Sequence, residues 1–228
     1  MVTEQAERHY RGATGAAYHQ GKRAVPDKAV CWVTRLRAEK LARFVKATDV
    51  VFEYGAGFGW NLAHLNCRRK LAFDLEDLLP PAIRAAGVEF VADVKTMADG
   101  SVNVAVCHHA LEHVMQPTAV LEELHRLLAA DGRLLLFVPF ERRRKYARFD
   151  ANEPNHHLYS WNVQTLGNLV EESGFRVAEA GTGLYGYDRF AAAWAVRTRL
   201  GEAGFRGLRR FLNMLRPERE VRIVAARK

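Results

Sequence analysis

The sequence has no long apolar run. Nothing in its 228 residues approaches the ~18 consecutive apolar residues of a bilayer-spanning helix. Cysteine is scarce, and Cys31, Cys67 and Cys107 stand far apart and odd in number. They lack the paired spacing of a zinc ribbon or a disulfide framework, so a reducing, cytoplasmic setting is expected. The polar opening Met1-Val2-Thr3-Glu4-Gln5-Ala6-Glu7 has no signal-peptide core. What is there is 49% hydrophobic and 26% charged, which suits one globular domain with a substantial core.

Charge is unevenly placed. Residues 189–228 hold eleven Arg or Lys against Glu202, Glu218 and Glu220, which accounts for the whole formal net charge of +8. The rest of the chain is near neutral. A local basic surface of this kind suits an acidic substrate, a membrane surface, nucleic acid or plain solvation.

The chain is organised around Val50-Val51-Phe52-Glu53-Tyr54-Gly55-Ala56-Gly57-Phe58-Gly59-Trp60. An apolar, β-branched run ends in an acid, glycines follow at alternate positions, and a helix is expected over about 58–66. Gly55 and Gly57 can take positive φ and let a ligand approach the backbone. A helix N-terminus behind them would favour an anionic group. The spacing excludes the usual dinucleotide loop, G-x-G-x-x-G, because Trp60 occupies the place of its third glycine.

Around this loop the sequence alternates strands and helices. Pro26-Asp27 opens a helix, with Asp27 as its cap, whose Val30, Val33, Leu41, Phe44 and Val45 share a face expected to cover the sheet. Lys70–Asp74 is a short strand ending in an acid 21 residues after Glu53. In a doubly wound sheet that carboxylate lies beside the glycine loop. It can accept from both hydroxyls of a ribose. Residues 88–93 read as the third strand and 102–107 as the fourth, which runs into His108-His109-Ala110-Leu111-Glu112-His113-Val114. Pro117 opens an amphipathic helix that Asp131-Gly132 ends, and Arg133–Pro139 is a buried strand. A helix over 161–170, a strand at 174–177 and a last strand at 221–225 complete the pattern. Between them, the glycines at 201, 204 and 207 should break any regular helix.

The motif E-x-G-x-G-x-G, followed by strand, Leu-Glu-His-Val, helix, Asp-Gly, apolar strand and Pro, resembles the class I S-adenosylmethionine (SAM)-dependent methyltransferases of types 11 and 23. The resemblance covers about residues 45–180 and 221–226. It implies an α/β, Rossmann-like, doubly wound sheet of seven strands, mostly parallel, with an antiparallel last strand. It implies SAM as cofactor, across the carboxyl ends of strands 1, 2 and 4. The backbone at Gly55, Gly57 and Gly59 would hold the methionine part, with Glu53 orienting its ammonium through the loop. Asp74 would hold the ribose, with Leu75 at the adenine face. Asp93 would accept from the adenine amino group beside Val94, and His108 would sit near the sulfonium. Asn103 stands where the group often has an acid.

Residues 1–45 are then expected to form a lid and helical segment, with Tyr18 and His19 as site candidates. Residues 46–228 would be the methyltransferase domain, with 185–216 an insertion capping the substrate. The expected acceptor is a small molecule, because no added recognition domain is visible, and O-methylation is favoured. A hydroxyl acceptor calls for a base, for which His109, His157 and His113 are the candidates. No nucleic-acid partner is expected, although peripheral membrane contact through 185–216 stays open. The same sheet would also serve an NAD(P)-dependent oxidoreductase or a non-catalytic module binding an anionic partner through the basic region. His109-Ala110-Leu111-Glu112-His113 matches the inverted zinc-protease pattern. It follows a strand, and Pro117 is too near for a long metal-binding helix, so no metal is assigned.

Overall fold

Side chains along the first strand alternate between two apolar layers, and that alternation builds the molecule outward from its sheet. The structure, a computed structural model, describes residues 10, 12, 15, 24–141, 148–150, 153 and 155–228. Tyr18 and His19 lie outside the described residues.

The first helix wholly within the described residues, α1, spans Asp27–Ala42. Pro26, not Asp27, takes its N-cap position, and no side chain caps it. Then come β1 (Val50–Tyr54), β2 (Arg69–Phe73), α2 (Pro80–Ala85) and β3 (Glu89–Phe90). They are followed by β4 (Val102–His108), α3 (Pro117–Leu127), β5 (Leu128–Pro139) and α4 (Val163–Glu172). The chain closes with β6 (Phe175–Tyr185), α5 (Asp188–Arg197), α6 (Gly201–Leu215) and β7 (Glu218–Arg227). The sheet order is β3-β2-β1-β4-β5-β7-β6. The first five strands in that order pair in parallel, and β7 runs antiparallel to both β5 and β6.

Val50 and Phe52 face a layer that includes Leu121, Leu124, Leu127, Leu166 and Val170 of α3 and α4. Val51 faces the opposite layer, with Ala38 and Leu41 of α1 and Ile83 of α2. Helices therefore cover both faces, as a mostly parallel sheet requires. Asn103 keeps a structural duty here, since its Oδ1 accepts the Val50 amide at 2.9 Å.

Several elements differ from expectation. No α-helix follows the glycine loop. Residues 56–65 form successive tight turns, with Gly59 donating to Ala56, Leu62 to Gly59 and Leu65 to Leu62. Gly57 (φ +54°) and Gly59 (φ +71°) take a left-handed backbone that a right-handed helix cannot contain. The expected helix dipole at the loop is thus missing. β3 is two residues long, and Asp93 lies beyond it. The helix after Pro117 stops at Leu127, so Asp131-Gly132 lies inside β5 rather than at the helix end.

The insertion is also regular where a break was expected. α6 runs through Gly204 and Gly207. At Gly204 an added Cβ would stand 2.4 Å from Leu200 Cβ, so the glycine permits a close approach rather than breaking the helix. Packing outweighs the propensity cost. Phe205 is fully buried with Val33, Ala191, Ala192 and Ala195, which locks α6 and α5 onto α1.

Candidate active site

The carboxyl ends of β1, β2 and β4 open into one cavity of about 820 Å³. The β1 register carries Tyr54 into Gly55, whose φ of +71° turns the chain across the strand ends. Gly55 and Ala56 both donate to the Phe73 carbonyl, at 2.9 and 3.1 Å, which pins the loop to β2. Asp74, one residue past β2, accepts the Gly57 amide on Oδ2 at 2.7 Å. The expected proximity of Asp74 to the first loop is therefore a direct hydrogen bond.

Gly55, Gly57, Asp74, Leu75, Asp93, Val94, His108, His109 and His113 all line this cavity. Asp93 caps the short turn Val94–Thr96 by accepting the Lys95 amide at 3.0 Å. Gly59 does not line the cavity; it packs near Val88 and Ile83 of the α2 region. Glu53 does not line it either, being fully buried beneath the loop. His157 sits behind the wall, with its ring 4.8 Å from that of His113.

Asn61 was not anticipated. It lines the cavity, and its Nδ2 donates to Glu53 Oε1 at 2.5 Å. Two buried acceptors, Glu53 Oε2 and Asn61 Oδ1, then have no hydrogen-bond partner among the described residues. Burial pushes the Glu53 carboxyl up to about 8, against the lowering hydrogen bond from Asn61. A buried carboxyl and an amide oxygen left without partners are matched to an ammonium group, whose positive charge would favour loss of the Glu53 proton. That pairing fits the amino-acid end of SAM, and the Asp74 carboxylate fits a ribose.

The other wall is a compact charged cluster, of which sequence reasoning found only the histidines. Lys40, from α1, reaches Glu220 Oε1 at 2.9 Å and His108 Nε2 at 2.5 Å. His109 Nε2 lies 3.1 Å from Glu220 Oε2, and the two imidazoles stack with centroids 4.4 Å apart. Glu220 is 1% exposed. It arrives because β7 is antiparallel: Glu220 pairs with Pro139 at the carboxyl end of β5. In sequence it looks like one acid in a basic tail. Burial alone would raise the Glu220 pKa, but hydrogen bonds from His108 and His109 and the Lys40 charge hold it well below the usual carboxylate range. Burial, then the Lys40 charge, push His108 well below its ordinary value, so it stays neutral. Burial lowers Lys40 as well, against the Glu220 attraction.

The H-x-x-E-H pattern does not form a helical pair. His109 has φ +53° and turns to Glu220, while Leu111–His113 is a single 3-10 turn. Its two histidines therefore separate onto different partners.

The basic segment 185–216 contributes to the cavity lining. Tyr187, Asp188, Arg189, Phe190 and Arg209 line the cavity. Several of its arginines are tied down: Arg206 to Glu39 at 2.7 Å and Glu202 at 2.8 Å, and Arg209 to Asp188 at 2.6 Å. Part of the basic character thus serves packing against α1. Among the described residues, no helix is long and apolar enough to cross a membrane.

The family model described as "methyltransferase domain" matches residues 31–180. Comparison with curated proteins gave no match. Among solved structures, a Burkholderia thailandensis 1,6-didemethyltoxoflavin-N1-methyltransferase is similar at 18% identity and TM-score 0.61, over 94% of this chain and 85% of that one. It was solved with 1,6-didemethyltoxoflavin and S-adenosylhomocysteine bound. An S-adenosylmethionine-dependent methyltransferase of Mesorhizobium loti shares 18% identity at TM-score 0.52, over 83% and 96%. A Haloferax volcanii chain solved with the Trm112 methyltransferase activator shares 16% at TM-score 0.63, over 100% and 99%. At such identities the likeness is one of fold.

Proposed function

This chain belongs to the methyltransferase-domain family, and we propose that it transfers a methyl group from SAM to a hydroxyl oxygen of a small molecule. The observation that carries this reading is one cavity lined both by Asn61, above buried Glu53, and by His109, held by Glu220. The first pair suits an amino-acid ammonium and the second suits proton removal. The Burkholderia thailandensis relative, an N1-methyltransferase solved with S-adenosylhomocysteine, supports the cofactor part of this reading.

Asn61 Oδ1 would accept from the cofactor ammonium, with the Glu53 carboxyl holding Asn61 from beneath and the Gly55 and Gly57 backbone beside the methionine part. Gly59 shapes the loop from outside the cavity. Asp74 would hold the ribose while it fixes Gly57. Leu75, Asp93 and Val94 would take the adenine. Bound there, the cofactor supplies an activated sulfonium methyl. His108, kept neutral by burial and by Lys40, puts no positive charge of its own beside that end of the cavity.

Aligning the acceptor with the methyl can remove about 7–11 kcal/mol of barrier. A base adds roughly 10²–10⁴ for a hydroxyl acceptor. Among the three candidate histidines, His109 takes that role. Glu220 would accept the Nε2–H and orient the ring, and Nδ1 would then take the acceptor's proton. The α5–α6 pair would close the acceptor side; most of the segment before α1, the expected lid, lies outside the described residues.

The test is methyl transfer from isotope-labelled SAM to a panel of phenols, sugars and amines. Label in the hydroxyl compounds, abolished in H109A with SAM affinity kept, supports the proposal. Label confined to amines refutes the O-methylation part.

A further inference from the structure

A second constellation lies beside the cavity. Glu112, His113 and His157 each offer a ligand atom, and these atoms lie within 4.8 Å of one another. The backbone brings them there. The amides of Leu158 and Tyr159 donate to the Glu112 carbonyl, at 2.8 and 3.3 Å, and tie the loop carrying His157 to the turn carrying His113. Side-chain exposures are 2% for Glu112, 10% for His113 and 12% for His157.

The partners behind the rings matter most. His113 Nδ1 lies 2.7 Å from Tyr10 Oη. That hydroxyl can donate onward to the carbonyls of Asn155 and His156, both at 3.3 Å. Tyr10 can therefore accept an Nδ1–H from His113. His157 Nδ1 lies 2.5 Å from Glu141 Oε1, a carboxylate that also accepts an Nδ1–H. Glu141 holds His157 in the tautomer that keeps the Nε2 lone pair, and Tyr10, when it accepts the Nδ1–H, holds His113 in the same one. His113 Nε2 faces Glu112 Oε1 at 3.7 Å. A carboxylate or hydroxyl fixing Nδ1 while Nε2 faces a carboxylate is the outer arrangement of a metal-bound histidine.

We propose that Glu112, His113 and His157 form a site for a divalent metal ion, with Zn²⁺ the best match, at the acceptor end of the cavity. Two imidazoles and one carboxylate are a ligand set that holds zinc with a position left open. Bonds of about 2.1 Å put neighbouring ligand atoms roughly 3.4 Å apart, so the side chains need close in by only about an ångström. His113 lines the cavity, so a coordination position left open on its side would face the acceptor. The consequence for the acceptor rests on the methyltransferase reading above. The acceptor would be an oxygen ligand, a phenol or hydroxyl whose pKa the ion lowers. The other histidine cluster cannot serve in this way, because the Lys40 ammonium already occupies the space between His108 and Glu220.

The test uses the full chain, stripped with a chelator, reloaded with Zn²⁺, gel-filtered and measured by elemental analysis and chelator competition. One zinc per chain is expected in the wild type and in H64A, a control for adventitious binding near Cys31 and His64. H157A and E112Q should lose the ion, with H157A also covering the case in which E112Q fails to fold. E141Q should weaken binding roughly 10–100-fold. No zinc in the wild type, or zinc retained in folded H157A, overturns the site. SAM titration of the same samples reports on the methyltransferase reading separately, since the zinc measurement needs no cofactor.

Discussion

Replacing Gly55 by alanine tests how the site is built. Gly55 has φ +71°, and an added Cβ would stand 2.4 Å from Ala110 Cβ. Holding an L-residue in that backbone region costs about 1–2 kcal/mol. Forcing a methyl into an occupied space costs about 1–3 kcal/mol more. G55A should therefore lose about 2–5 kcal/mol. Gly57 shares the positive φ, +54°, but its Cβ would meet nothing within 4 Å. G57A should lose only the backbone part, about 1–2 kcal/mol. Urea unfolding followed by circular dichroism measures both. The steric part is isolated by adding A110G, since a double-mutant cycle should show a favourable coupling of about 1–3 kcal/mol between G55A and A110G. Equal losses for G55A and G57A, with no coupling to Ala110, would refute the close approach of the β1 and β4 loops.

Asp74→Ala should weaken SAM binding by roughly 10–100-fold in calorimetry, since it removes a charged acceptor worth about 1.5–3 kcal/mol. Unchanged affinity would remove Asp74 from the site. Glu53 gives a pH signature: its folded carboxyl, raised to about 8 by burial, keeps its proton while the unfolded chain releases one near 4.5. Its stabilising contribution is full at low pH and is lost as pH rises from about 4.5 to 8. E53Q should therefore gain on the wild type by roughly 4 kcal/mol between pH 5 and pH 8. A constant difference in urea midpoints across that range would contradict the burial. Glu220→Gln leaves the partly buried Lys40 against the His108 imidazole without its counter-ion and should cost about 3 kcal/mol of stability. A loss under 1 kcal/mol would show that the cluster is open to water.

Most of the sheet was legible because its strands carry their own signals. Val102–Cys107 and Arg133–Pro139 are apolar runs bounded by breakers, and Val120, Leu121, Leu124 and Leu127 mark one helix face. The site was legible where chemistry is local in sequence, as with Gly55, Gly57 and Asp74. It was hidden where the fold brings distant residues together. Lys40 and Glu220 are 180 residues apart and meet only because β7 runs antiparallel. Asn61 sat in a segment read as helix, whose paired left-handed glycines make turns instead. Gly204 looked like a helix breaker, but it sits four residues after the N-cap Leu200, whose side chain folds over it, and the buried Phe205 beside it anchors the helix. The histidine pattern at 109–113 suggested an i, i+4 pair, but the positive φ of His109 separates the rings and gives His113 a partner from residue 157.

The central claim is that the cavity at the glycine loop holds SAM. The most direct measurement is calorimetric titration of the purified chain with SAM and S-adenosylhomocysteine, with NADH as the control and N61A as the variant. Micromolar binding of both sulfur compounds, weakened in N61A, with no heat from NADH, is the predicted result. Binding of NADH, or no binding of either sulfur compound, would contradict it.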